Sequence, residues 1–97
     1  MTMNVQIMKE ARKLAKNYIL TQTSEWETED GNHMWLAEDR DLVGCMAQGI
    51  TEEEACNNLI DSRIDFIYFL LEDDMELPRP TTYEDLWNAY DKENNIK

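Results

Sequence analysis

The segment from Thr51 to Glu72 constrains the fold more than any other part of the chain. Thr-Glu-Glu-Glu at its start places a hydroxyl at a helix N-cap and Glu54 at the third helical position, the pattern of a capping box. Beyond it the pairs Ala55/Cys56, Leu59/Ile60, Arg63/Ile64, Phe66/Ile67 and Leu70/Leu71 recur every three or four residues. Such a wide stripe on one long helix needs a sheet beneath it. Glu52, Glu53 and Glu54 sit where the helix dipole is positive, and each stabilises the helix by about 0.3–1 kcal/mol. Their chemistry is capping, not catalysis. A chain of 97 residues has room for this helix, one small sheet and one core.

The strands are sought upstream. Residues 18 to 26 (YILTQTSEW) are rich in β-branched and aromatic types, and an acidic, turn-prone cluster from Glu27 to Asn32 follows with Gly31 at its centre. A second strand is expected over His33 to Glu38 and, after the polar bend Asp39 to Asp41, a third over Gly44 to Gln48. Three strands in succession make an antiparallel meander. In the second strand Trp35 and Ala37 share one face, Met34 and Leu36 the other, so one face meets helices and the other is free for a second subunit. Asn4 to Tyr18 reads as a helix with Val5, Met8, Ala11, Leu14 and Ala15 on its apolar side and Lys9, Arg12, Lys13 and Lys16 opposite. Leu77-Pro78-Arg79-Pro80 ends the regular structure, and Thr81 or Thr82 caps a last short helix bearing Tyr83, Leu86, Trp87 and Tyr90. The expected class is α+β: a three-stranded antiparallel meander packed against a long helix, with one extra helix at each end. It forms a single domain over 1–97, divided into an N-terminal helix (1–17), a core (18–80) and a C-terminal helical segment (81–97).

Charge bears on partners. Nine Lys plus Arg against 21 Asp plus Glu leave a formal charge of -12, which argues against direct binding of nucleic acid, since phosphate binding depends on cations that release counterions. A basic protein is the natural complement, because opposite fields accelerate association. No run approaches the ~20 apolar residues of a membrane span and no secretory pattern opens the chain, so a cytoplasmic location and no membrane partner are expected. Cys45 and Cys56 have no CxxC spacing and His33 is the single histidine, a pattern that signals free thiols and neither metal nor disulfide; no cofactor is expected. The four cations of the first helix form a basic patch whose simplest role is a solvated face.

The run Asp41-Leu42-Val43-Gly44-Cys45, then Gln48-Gly49-Ile50-Thr51, then Glu53-Glu54-Ala55 and Asn58, resembles the HicB antitoxins and HicB-like proteins. The likeness continues through Leu71-Glu72-Asp73-Asp74 and Leu77-Pro78-Arg79-Pro80 and covers about residues 18 to 80. Three positions depart from the family: Val43 stands where Pro is common, Ile50 where Asp is common, and Asp74 where Gly ends the helix. The resemblance implies a partial ribonuclease-H-like fold. It also implies a partner, a HicA-like toxin, small and basic, that cleaves messenger RNA and is neutralised when its RNA-binding and catalytic surface is covered. Many members carry a C-terminal DNA-binding region; the 17 residues after Pro80 are too few for one, so partner binding is expected here without operator binding.

The carboxylates Glu25, Glu27, Glu29, Asp30, Glu38, Asp39 and Asp41 are the candidate docking surface, steering a basic partner while apolar strand residues hold it. Two other readings compete: an acidic inhibitor or DNA mimic, for example phage-encoded, aimed at a different nucleic-acid-binding protein, and a degenerate metal-dependent hydrolase. A two-metal site needs carboxylates converging from different strands, whereas Glu38, Asp39 and Asp41 crowd one bend. No catalytic residue is assigned. The free sheet face and the aromatic C-terminal segment together suggest a homodimer or larger homo-oligomer.

Overall fold

In a computed structural model, residues 3–94 are described and fold as α1 (Val5–Ala15), β1 (Thr21–Glu27), β2 (His33–Asp39), β3 (Met46–Gly49), α2 (Glu52–Glu72) and α3 (Tyr83–Glu93). The strands form one antiparallel sheet in the order β1-β2-β3. This is the α+β meander with helices expected from the sequence, with shifts at the element ends. The first helix stops at Ala15, and Tyr18 lies beyond it, buried, with its hydroxyl donating to the Pro78 carbonyl. β1 begins at Thr21, after half-buried Ile19 and Leu20. β3 begins at Met46, because Leu42 to Cys45 form a turn in which Cys45 N–H donates to the Leu42 carbonyl and Gly44 takes φ +94°, a conformation that suits glycine.

α2 lies across one face of the sheet. Ala55, Leu59, Ile67 and Tyr68 are buried in a core that also takes Ala37, Leu42 and Cys45, and Ala11 and Ala15 of α1 dock on α2 from the side. Phe66, expected at the centre of the buried stripe, is only half-buried, with its ring at Gly44. The buried row falls instead on Ala55, Leu59, Arg63 and Ile67, every fourth residue. Strand and helix approach most closely at Gly49. A Cβ there would overlap the Ala55 nitrogen and lie 2.8 Å from the Glu54 carbonyl carbon, so glycine is required by space.

The caps are local hydrogen-bond solutions. Asn4 Oδ1 accepts from the N–H groups of Gln6 and Ile7, and Asn4 N–H donates to the Tyr68 hydroxyl at 2.8 Å, tying the start of α1 to α2. Thr51 Oγ1 accepts from Glu54 N–H, but Glu54 reaches past the N-cap to Ile50 N–H at 3.3 Å, so the expected box is only half closed. The complete box belongs to α3, between Thr82 and Asp85. At the other end of α2, Asp74 adopts φ +53°. Met75 N–H donates to Leu70 O and Asp74 N–H to Leu71 O, a Schellman ending built on a residue other than glycine.

Candidate partner-binding surface

Strand parity decides where the candidate carboxylates point. Glu25 and Glu27 lie opposite Trp35 and His33 in the register, on the side of the sheet that faces α2, but at the hairpin end where both are exposed. Glu25 pairs with His33 Nδ1 at 2.6 Å. Glu29 and Asp30 occupy the turn, held by Thr28 N–H to Asn32 O and Gly31 N–H to Thr28 O, and are exposed. These four carboxylates gather at the hairpin tip, at the end of an edge strand that has a neighbour on one side only.

The other three are placed elsewhere, and the expectation of one continuous acidic face is corrected accordingly. Glu38 projects from the opposite face, half-buried between Gln22 and Met46. Asp39 is buried. Its Oδ2 accepts from Arg63 Nε at 2.6 Å and its Oδ1 from the N–H groups of Asp41 and Leu42, while the two side chains retain 0% and 11% of their accessible surface. Arg63 also donates to Thr21 Oγ1. A buried carboxylate with this set of partners is a structural clamp that ties α2 to β1, β2 and the following turn, and it cannot meet a partner. Asp41 is half-buried and accepts from both the N–H and the hydroxyl of Thr81, at 2.7 and 2.9 Å, anchoring the segment before α3. Alternation and the bend thus send Glu38, Asp39 and Asp41 in three directions. Among the described residues no three His, Cys, Asp or Glu side chains group as metal ligands.

The Asp39 clamp perturbs its neighbours. Burial, and behind it the charge of Asp39, pushes the Cys45 thiol up to about 11 although Arg63 pulls the other way. The Tyr18 phenol is raised by burial and then by Asp39 and Asp41. Both cysteines are free, Cys45 buried and Cys56 half-buried. Near α3, hydrogen bonds from Thr82 and Arg79 hold the Asp85 carboxyl down to about 2.

Two apolar surfaces lie outside the candidate set. Register places Trp26, Met34, Leu36 and Met46 on the sheet face away from α2, with Ile50 beside Met34. Met34 and Leu36 were legible from alternation in β2. Trp26 joins them only once the pairing Trp26 to Met34 is known. The second surface is the aromatic side of α3, where Tyr83, Leu86, Trp87 and Tyr90 line a shallow groove. The basic side of α1 is exposed as expected, and Arg12 and Lys16 rim a cleft of about 520 Å³ over Ala15, Ile60 and Ile64. Among the described residues no helix is long and apolar enough to cross a membrane. Comparison of the chain with protein-family models, with curated proteins and with solved structures gives no match.

Proposed function

We propose that this protein is an acidic inhibitor that captures a small basic, nucleic-acid-binding protein, in the manner of a HicB-like antitoxin holding a HicA-like toxin, and that it works by binding and not by catalysis. The observation that carries the reading is the hairpin tip: Glu25, Glu27, Glu29 and Asp30 stand together at the end of the edge strand β1 in a chain of charge -12. Carboxylates in this position accelerate encounter with a cationic surface. The free edge of β1 offers backbone groups to a partner strand or loop, so that affinity can come from main-chain pairing while the charges set orientation. The resemblance over residues 18 to 80 supports the same partner chemistry. Asp39 and Asp41 contribute by holding the sheet, the turn and α3 in place.

The test is capture from native lysate with the full chain as bait, followed by identification of the partner and measurement of its activity on RNA. The expected partner is a small protein of pI above about 9 whose ribonuclease activity falls in proportion to the inhibitor added. An acidic partner, or a basic one whose RNA cleavage is unaffected at saturation, would contradict the proposal.

A further inference from the structure

We infer that a second copy of this chain covers the open sheet face, with α3 of each protomer seated on the sheet of the other. Within its own chain α3 packs against no other helix or strand among the described residues. Tyr83, Leu86, Trp87 and Tyr90 remain 69%, 40%, 63% and 50% exposed, although they share one side of an amphipathic helix with a complete capping box. The helix is therefore well formed and without a partner. Its base is held by the Asp41 bonds to Thr81 and by the ion pair of Arg79 with Asp85.

The open face has matching properties. Trp26, Met46 and Ile50 are 38%, 47% and 66% exposed there, beside half-buried Met34 and Leu36. Around them the same face presents Gln22, Ser24 and Gln48, with Glu38 its single carboxylate. Its paired strand residues carry one charge, at Glu38, so a basic protein gains little there, whereas an apolar helix with tyrosine hydroxyls suits it. The sizes agree as well. A helix of 11 residues is about 16 Å long, and three strands spaced about 4.8 Å apart make a bed wide enough for one helix.

Area selects the symmetric arrangement. From the exposed fractions, the four α3 side chains offer roughly 450–500 Å² and the sheet residues roughly 350–400 Å². One seat alone falls below the ~1,000 Å² that a specific interface requires, while two reciprocal seats remove about 800 Å² from each protomer, the size of a standard interface. Reciprocity is what a two-fold axis provides. Two chains of charge -12 repel one another, so added salt strengthens this contact, whereas it weakens binding of a basic partner. The sign of the salt effect separates the failure of one proposal from failure of the other.

Sedimentation equilibrium on the full chain tests the inference. The wild type is expected at twice its 11.5 kDa mass, more completely so in high salt. The arm variant Trp87→Glu/Tyr90→Glu and the face variant Met46→Glu/Ile50→Glu alter exposed residues, and their helical circular dichroism serves as the control for folding. Each is expected to raise the dimer Kd by about 30-fold or more, and the two pairs of substitutions combined in one chain to leave it monomeric. A monomeric wild type at tens of micromolar would overturn the inference. So would a face variant that dimerises normally, which indicates arm-to-arm packing, or an arm variant that does so, which indicates face-to-face packing.

Discussion

Asp39 shows how far a single residue departs from what its neighbourhood in the sequence suggests. In the run Glu38 to Asp41 it reads as one carboxylate among several in a solvated bend, yet it is the buried acceptor for Arg63, Asp41 N–H and Leu42 N–H. Arg63 carried the missing signal: a cation within the apolar row of α2 must find a buried anion or leave the row. Asp39→Ala strands the Arg63 guanidinium and is expected to destabilise the fold by about 3–5 kcal/mol, measured by urea unfolding. Substituting both residues together by apolar side chains of similar volume is expected to cost much less. Asp74 departs in the opposite sense, since the resemblance to HicB-like proteins marks it as a helix end where glycine is expected, and the backbone there adopts φ +53°. Asp74→Gly relieves the left-handed penalty and gives back part of it in chain entropy. A net gain of about 0.5 kcal/mol is expected, seen as a melting temperature higher by roughly 2–4 °C.

At the scale of the element, legibility follows the strength of local signals. α2 ends at Glu72 as expected because its cap and periodicity both lie within the segment. β1 and β3 are displaced by two or three residues, because strand ends are set by partners across the sheet and by the Leu42 to Cys45 turn. The hairpin carboxylates were legible as an acidic turn, but their separation from Glu38, Asp39 and Asp41 depends on register, which emerges only from pairing. α3 offers a test of its own, since its cap is ionic. Thr82 and Arg79 hold the folded Asp85 carboxyl down to about 2 from an ordinary value of 3.8. A depressed folded pKa gives stabilisation that is present above the unfolded value and disappears as pH falls through the folded one. Backbone chemical shifts of Leu86 to Tyr90 are therefore expected to lose helical character between about pH 4 and pH 2, and Asp85→Asn to flatten that transition. Helical shifts unchanged down to pH 2 would show that the cap contributes nothing to α3.

The whole molecule is thin and extended. Its radius of gyration of 16.2 Å exceeds the ~12.5 Å of a compact chain this long, and its smallest dimension of 18 Å leaves room for little more than one sheet and one helix layer. A two-layer body with an uncovered sheet and a projecting aromatic helix is suited to association, and its charge favours a cationic partner. Association rate against ionic strength, for the wild type and for Glu27→Lys/Glu29→Lys/Asp30→Lys, tests that account most directly once the partner is in hand. The three residues are exposed in or beside a turn, so the substitution is expected to leave stability within about 0.5 kcal/mol of the wild type. The expected result is a wild-type rate that falls steeply as salt rises, and a variant that associates more slowly with a much flatter salt dependence. Equal rates and equal salt slopes for the two proteins would contradict the hairpin as the docking surface and direct attention to the basic side of α1, with Lys9, Arg12, Lys13 and Lys16.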